Sequence, residues 1–262
     1  WYRKTFTLNN TSKGKKVLIQ FDGVYMDSDV WINGHHLGNH KNGYTSFMYD
    51  LTDYLKPAGE KNVIAVEVKN HGDNSRWYAG SGIYRHVWLH ILNPTHIKEW
   101  GVAITANNVS ESSATVNITT QVINSLPNMS LKAEVYSADN LLINTTTVDA
   151  SKKEKTTHSI NLKNPKLWNI ESPNLYQVKL SLMANGKVVD TYHQTFGIRT
   201  IHFDAENGFT LNGKSIKLKG GCIHHDNGPL GAAAFDRAEE RKIELLKANG
   251  YNAVRFSHNL YS

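Results

Sequence analysis

The stretch Lys217-Leu-Lys-Gly-Gly-Cys-Ile-His224-His225-Asp226 reads as a short strand ending in two histidines and a carboxylate. A loop follows, then a helical segment from Phe235 to Gly250. Asn252-Ala-Val-Arg255-Phe-Ser257-His258-Asn259 is a second strand ending in a polar cluster. Strand, helix and strand in this order make a β-α-β unit with parallel strands. Its polar residues gather at the C-terminal ends of both strands, where (β/α) barrels keep their chemistry. A two-stranded parallel pair cannot bury both faces by itself. The unit is therefore expected to be the first β-α-β of an incomplete (β/α)8 barrel.

The spacing predicts a helix over Asp236 to Ala248 with Ile243, Leu245 and Leu246 as its apolar stripe. Asp236 is expected to cap it, with Glu239 three residues on completing a capping box. Lys247 suits the negative end of the dipole, and Asn249-Gly250 supplies a left-handed stop.

Working outward, everything before Lys217 reads as β-structure. From Trp1 to Leu92 the signals are short alternating strands: Tyr2 to Leu8, Val17 to Phe21, Val63 to Val68 and Ile83 to Ile91. Asp29-Val-Trp-Ile32 followed by Asn33-Gly34 marks a hairpin, because both turn positions need φ > 0. This is a β-sandwich of jelly-roll size. Leu92-Asn93-Pro94 reads as a boundary, since Pro94 cannot donate to a ladder. Strands such as Ala114 to Ile123, Ser130 to Tyr136 and Tyr176 to Met183 then follow at regular spacing. Asn185-Gly186 turns the last of these into Lys187 to Phe196. About a hundred residues of this pattern suggest a seven-strand immunoglobulin-like sandwich. Asn207-Gly208 and Asn212-Gly213 are two further turns in a bridge that feeds a strand from Ser215 to Ile223. The expected division is a jelly-roll domain over 1–93, an immunoglobulin-like sandwich over 94–200 and the start of a barrel over 201–262.

Composition narrows the function. The 262 residues are 40% hydrophobic and 10% aromatic, enough for packed cores and against disorder. The net charge of +6 comes from scattered lysines rather than a basic run, which argues against nucleic-acid binding. No apolar run is long enough to span a membrane. Cys222 is the single cysteine, so no intrachain disulfide forms, and its apolar strand context predicts a buried structural thiol. The chain opens on Trp1 in mid-strand without Met, and a trimmed N-terminus is expected. Periplasmic, secreted and cytoplasmic settings all stay open.

Several ordered motifs then point to a family. Phe196-Gly-Ile-Arg199, Gly208-Phe-Thr-Leu-Asn-Gly213 and Leu218-Lys-Gly220 closely resemble the family 2 glycoside hydrolases, which include β-galactosidases and β-glucuronidases. Asp29-Val-Trp-Ile-Asn-Gly34 and Gly82-Ile-Tyr-Arg-His-Val-Trp-Leu89 look like that family's sugar-binding domain. Pro165-Lys-Leu-Trp168 and Glu171-Ser-Pro173-Asn-Leu-Tyr176 look like its immunoglobulin-like domain. Asn252 to His258 looks like its signature on the second barrel strand. Cys222-Ile-His-His225-Asp226 with Ser257-His258-Asn259 leans toward the β-galactosidase branch. Leu260 stands where the family commonly has Pro, and Phe256 where it often has a small polar residue. The change at 260 is expected to alter the loop leaving the strand.

The resemblance implies a retaining glycosidase. Such enzymes set two carboxylates about 5.5 Å apart, one as acid/base and one as nucleophile. In the family both are glutamates on later barrel strands, so this stretch is expected to lack them and to be inactive alone. Asp236, Glu239, Glu240 and Glu244 read instead as a solvated helix face. The resemblance makes His224 and His258 sugar-hydroxyl ligands and Arg255 the group that orients the nucleophilic carboxylate. Without it, these are polar residues at strand ends. The loop Asp73-Asn74-Ser75-Arg76-Trp77-Tyr78 matches one that reaches over the barrel mouth in the family. Asn74 and Arg76 are then hydroxyl ligands, and Trp77 or Tyr78 a stacking face, against a plain structural loop. Trp168 reads as core or interface. No metal site is expected, because His224 and His225 are neighbours on a strand and point to opposite faces. No cofactor is implied. The expected partner is a terminal β-linked, galactoside-like sugar, and a homo-oligomeric parent stays open. The rival readings are a stand-alone carbohydrate-binding module, an adhesive β-sandwich, and a β-glucuronidase or β-mannosidase of the same family.

Overall fold

The structure is a computed structural model that describes residues 1–70, 80–257 and 260. It divides into two compact units, Trp1–Leu92 with Leu218–Ser262, and Asn93–Lys217.

The first unit begins with nine strands: β1 (Tyr2–Thr7), β2 (Lys16–Phe21), β3 (Val24–Tyr25), β4 (Ser28–Ile32), β5 (His35–His40), β6 (Phe47–Asp50), β7 (Lys61–Val68), β8 (Gly82–Ile83) and β9 (Val87–Leu92). One sheet runs β1-β7-β4-β5 and another β6-β2-β9, while β3 pairs with β8. All pairings are antiparallel. Alternation buries Val30, Ile32, Ile64 and Val66 of the first sheet against Val17, Ile19 and Phe21 of the second. Asn33-Gly34 makes the expected hairpin, at φ 50° and 89°, with Ile32 opposite His35. The Asn33 side chain also ties the turn to β7: its Oδ1 accepts from the Val63 amide at 2.9 Å.

The expected strand over Ile83 to Ile91 is broken between β8 and β9. The break faces another at Asp22-Gly23 between β2 and β3. The Asp22 amide donates to the His86 carbonyl (3.0 Å) and the Tyr84 amide to the Gly23 carbonyl (3.3 Å). Gly23 is needed for this crossing, because a Cβ there would lie 2.8 Å from Arg85 Cδ.

The second unit carries β10 (His96–Asn107), β11 (Ser113–Ile123), β12 (Met129–Tyr136), β13 (Leu142–Asp149), β14 (Lys155–Lys163), β15 (Tyr176–Ala184) and β16 (Lys187–Phe196). These seven strands form two sheets, β10-β11-β14 and β13-β12-β15-β16. Every second residue of β12 and β14 is buried, the mark of two sheets sharing one core. Asn185-Gly186 turns β15 into β16 at φ 48° and 77°. Trp168 is half-buried, with the Arg199 guanidinium 4.9 Å over its ring and its amide donating to the Ile198 carbonyl. A small sheet of β17 (Ile201–Asp204), β18 (Gly208–Leu211) and β19 (Lys214–Ser215) completes the unit.

The chain then returns to the first unit as β20 (Gly220–Ile223), α1 (Asp236–Ala248) and β21 (Ala253–Phe256). The expected strand over Ser215 to Ile223 is thus two short ones, and Ile216 to Lys219 lie outside both. Strands β20 and β21 pair in parallel, as the β-α-β reading required. Helix α1 is the one α-helix among the described residues, and it ends at Asn249 with Gly250 at φ 79°. Its start differs from expectation. Phe235 is the N-cap residue and Asp236 the first helical one, without a side-chain cap. Both acids of the expected capping box are drawn elsewhere: Asp236 to His86 (2.7 Å), and Glu239 to the Asn227 amide group (2.7 Å).

Gly220 shows how close β20 and β21 lie. A Cβ there would sit 2.2 Å from the Ala253 carbonyl oxygen, whereas one at Gly221 would meet only the Tyr251 ring at 3.5 Å. Gly220→Ala should therefore destabilise the first unit by about 1–3 kcal/mol and Gly221→Ala should be close to neutral. Denaturant titration of both variants checks this, and equal effects would contradict it.

Candidate active-site support at the strand ends

The parallel register sets Cys222 beside Arg255 and Ile223 beside Phe256. Period-two alternation then gives the pair two different faces. Cys222, His224, Arg255 and Ser257 share one. Ile223 and Phe256 share the other, toward α1. The Arg255 Nη1 lies 3.6 Å from Cys222 Sγ, and the Ser257 amide donates to the Ile223 carbonyl at 3.0 Å. The predicted residue Arg255 thus lies beside Cys222 near the C-terminal end of β21, and His224 directly follows the C-terminal end of β20. His258, Asn74 and Arg76, with Trp77 and Tyr78, lie outside the described residues.

Cys222 is exposed, which corrects the expectation of a buried thiol. Its apolar neighbour Ile223 faces the helix, so Cys222 itself joins the polar face. Ser257 and then the Arg255 guanidinium lower its pKa by stabilising the thiolate. Among the described residues no three His, Cys, Asp or Glu side chains group as metal ligands.

His225 takes the opposite direction from His224. It is 7% exposed and packs edge-on to Tyr44 (5.1 Å) and near Tyr84 (5.9 Å). Burial also pushes the Tyr44 phenol well above its ordinary range. This aromatic nest receives the loop after β20, and sequence reading did not find it. The three residues of the β8–β9 break hold the same segment. The Tyr84 carbonyl accepts from the Ala234 amide (2.9 Å), and His86 meets Asp236. Arg85 donates to the carbonyls of Tyr44 (2.7 Å), Asp22 (3.3 Å) and Leu260 (3.2 Å). A cavity of about 640 Å³ opens beside them, lined by Ile223, Phe256, Ile243 and the α1 acids Asp236, Glu240 and Glu244. It lies on the helix side of the strands, opposite the polar row, so the strand-end chemistry does not belong to it.

Two antiparallel β-units and a parallel β-α-β segment with a polar row at its strand ends make a modular, mainly β architecture. The sugar binding domain of glycosyl hydrolases family 2 matches residues 1–94, and the glycosyl hydrolases family 2 model matches residues 95–199. The chain belongs to the family 2 glycosyl hydrolases. It is 44% identical to the β-galactosidase BoGH2A of Bacteroides ovatus, over 99% of this chain and 31% of that protein. It is 41% identical to a putative β-glucuronidase of Formosa agariphila, over 99% of this chain and 25% of the relative. A family 2 member from Bacteroides cellulosilyticus superposes with a TM-score of 0.92 at 49% identity, over 99% of this chain and 34% of that one. The chain therefore spans about a third or less of the length of these relatives. No helix among the described residues is long and apolar enough to cross a membrane.

The buried His225 makes stability depend on pH. Burial and then the Arg85 charge lower its pKa below the ordinary 6.5; His224 and Lys242 act the same way and Asp226 opposes them. A lowered histidine pKa means that the unfolded chain binds the proton more readily. The contribution is full above pH 6.5 and is lost as pH falls below it. His40 and His158 are lowered too and add the same sign. His225→Phe keeps a ring in the nest and should flatten part of the loss of Tm on acidification. An unchanged slope would contradict the assignment.

Proposed function

We propose that this chain is the N-terminal portion of a retaining β-glycosidase, most like a β-galactosidase, which releases terminal β-linked sugars from oligosaccharides. In this reading 1–93 is a jelly-roll sugar-binding domain, 94–200 an immunoglobulin-like domain and 201–262 the start of the catalytic barrel. The observation that carries it is the polar row of Cys222, His224, Arg255 and Ser257 at the C-terminal ends of two parallel strands. His224, with His258, binds sugar hydroxyls, contacts that tighten as the ring becomes oxocarbenium-like. Arg255 supplies charge-assisted hydrogen bonds to a glutamate nucleophile contributed from elsewhere in the parent protein. Asn74 and Arg76 of the first domain are further candidate ligands for sugar hydroxyls. The reaction needs proton transfer and a carboxylate nucleophile, and no cofactor.

A β-glucuronidase specificity is the second reading, supported by the 41% identity to a putative β-glucuronidase. Comparing kcat/KM for aryl β-galactoside and aryl β-glucuronide in the full-length parent separates the two.

Arg255→Lys in that parent should lower kcat roughly 10²–10³-fold with KM changed little, because a lysine lacks the planar fork. A kcat within a few fold of the unaltered enzyme would contradict the role of Arg255. The 262-residue chain by itself should not turn over an aryl β-galactoside. Measurable turnover by it would overturn the reading.

A further inference from the structure

Seven Asn-Gly pairs punctuate the chain, the first at Asn33 and the last at Asn249. The pair is good for turns and is also chemically labile. The glycine amide nitrogen, unshielded by a side chain, can attack the carboxamide carbon of the asparagine before it. The attack needs a carboxamide that is free to rotate and to expel ammonia. Hydrogen bonds to the carboxamide oppose that rotation.

Six of the seven carboxamides are held in this way. Asn33 Oδ1 accepts from the Val63 amide (2.9 Å) and its Nδ2 donates to the Tyr54 carbonyl (2.8 Å). Asn42 Oδ1 accepts from the amides of Tyr44 (2.8 Å) and Thr45 (3.1 Å). Asn207 Nδ2 donates to both oxygens of the Asp204 carboxylate (3.2 and 3.3 Å). Asn212 Oδ1 accepts from the Thr200 amide (2.9 Å) and its Nδ2 donates to the Trp168 carbonyl (3.0 Å). Asn227 Nδ2 donates to Glu239 (2.7 Å), and Asn249 Nδ2 to the Leu245 carbonyl (2.8 Å).

The Asn185 carboxamide has no such partner among the described residues. Only its backbone amide is engaged, donating to the Asn128 carbonyl at 3.2 Å. Asn185 and Gly186 are both exposed at the tip of the β15–β16 hairpin, and a Cβ on Gly186 would meet nothing within 4 Å. Nothing therefore crowds the rotation that brings the carboxamide to the Gly186 nitrogen. Asn33-Gly34 adopts nearly the same turn, at φ 50° and 89° against 48° and 77°. The two turns thus differ in their side-chain ties rather than in their backbone.

We propose that Asn185 is a site of spontaneous modification, which converts to isoaspartate through a cyclic imide while the fold protects the other six pairs. The Gly186 nitrogen gives its proton to hydroxide and bonds to Cγ of Asn185, and Nδ2 leaves as ammonia. Water then opens the imide at either carbonyl. One opening gives aspartate; the other gives isoaspartate, in which the main chain runs through Cγ. Isoaspartate lengthens by one methylene a two-residue loop that now sets Ala184 opposite Lys187, and so disturbs that register. Because β16 is an edge strand, only its ladder with β15 is affected. The proposal uses no strand-end residue and is independent of the catalytic reading.

Peptide mapping by mass spectrometry tests it, on the folded 262-residue chain held at mildly alkaline pH, with an isoaspartyl methyltransferase as the probe for isoaspartate. Asn185 should convert roughly 5-fold or more faster than any of the other six, the factor that one restraining hydrogen bond supplies. In denaturant all seven should convert at similar rates. Asp204→Ala frees the Asn207 carboxamide and should bring its rate up to that of Asn185. The ranking in the unaltered chain decides the matter where that variant fails to fold. An equal or faster rate at another Asn-Gly pair of the folded chain, the same ranking in denaturant, or an unchanged Asn207 rate in folded Asp204→Ala would each overturn the proposal.

Discussion

The guanidinium of Arg85 donates to the carbonyls of Asp22, Tyr44 and Leu260, and the polar row at the strand ends depends on it. Two of these carbonyls belong to the first sandwich and the third follows β21. A single planar fork thus joins the sandwich to the β-α-β segment through backbone atoms, whose positions do not vary with rotamer. Its neighbours extend the hold. Tyr84 takes the Ala234 amide, His86 meets Asp236, and His225 fills the space between Tyr44 and Tyr84. The segment needs such a hold. No residue of α1 is buried, and Ile243, Leu245 and Phe256 are about half exposed. Hydrophobic burial therefore contributes little here, and directional hydrogen bonds carry the positioning.

The parts legible in the sequence were those with local causes. Asn33-Gly34 and Asn185-Gly186 adopt positive φ because Asn and Gly tolerate the left-handed region at low cost, and each sits where the pattern put it. Alternation found four strands of the second unit, β11, β12, β15 and β16, to within a residue. Helix α1 spans the predicted residues, although Asp236 does not cap it. The β-α-β order was enough to predict that β20 and β21 pair in parallel.

The parts that stayed hidden had distant causes. Ile83 to Ile91 reads as one strand because Tyr84 and His86 keep the alternation. Only the contact with Gly23 and the segment beyond Leu218 reveals that the ladder breaks there. Asp236 is a good N-cap residue by type, yet a histidine 150 positions earlier takes its carboxylate. Cys222 sits beside Ile223 in an apolar stretch, and its exposure follows from which face α1 covers. In each case the sequence offered a sound local preference, and a partner far along the chain decided the outcome.

The break between β8 and β9 is thus the joint on which the site's placement rests. Native-state hydrogen exchange on Arg85→Met tests this most directly, because methionine keeps much of the apolar stem and removes every donor. The amides of Gly220–Ile223 and Ala253–Phe256 should lose protection, while those of β11 and β12 keep theirs. Unchanged protection in β20 and β21 would contradict the account.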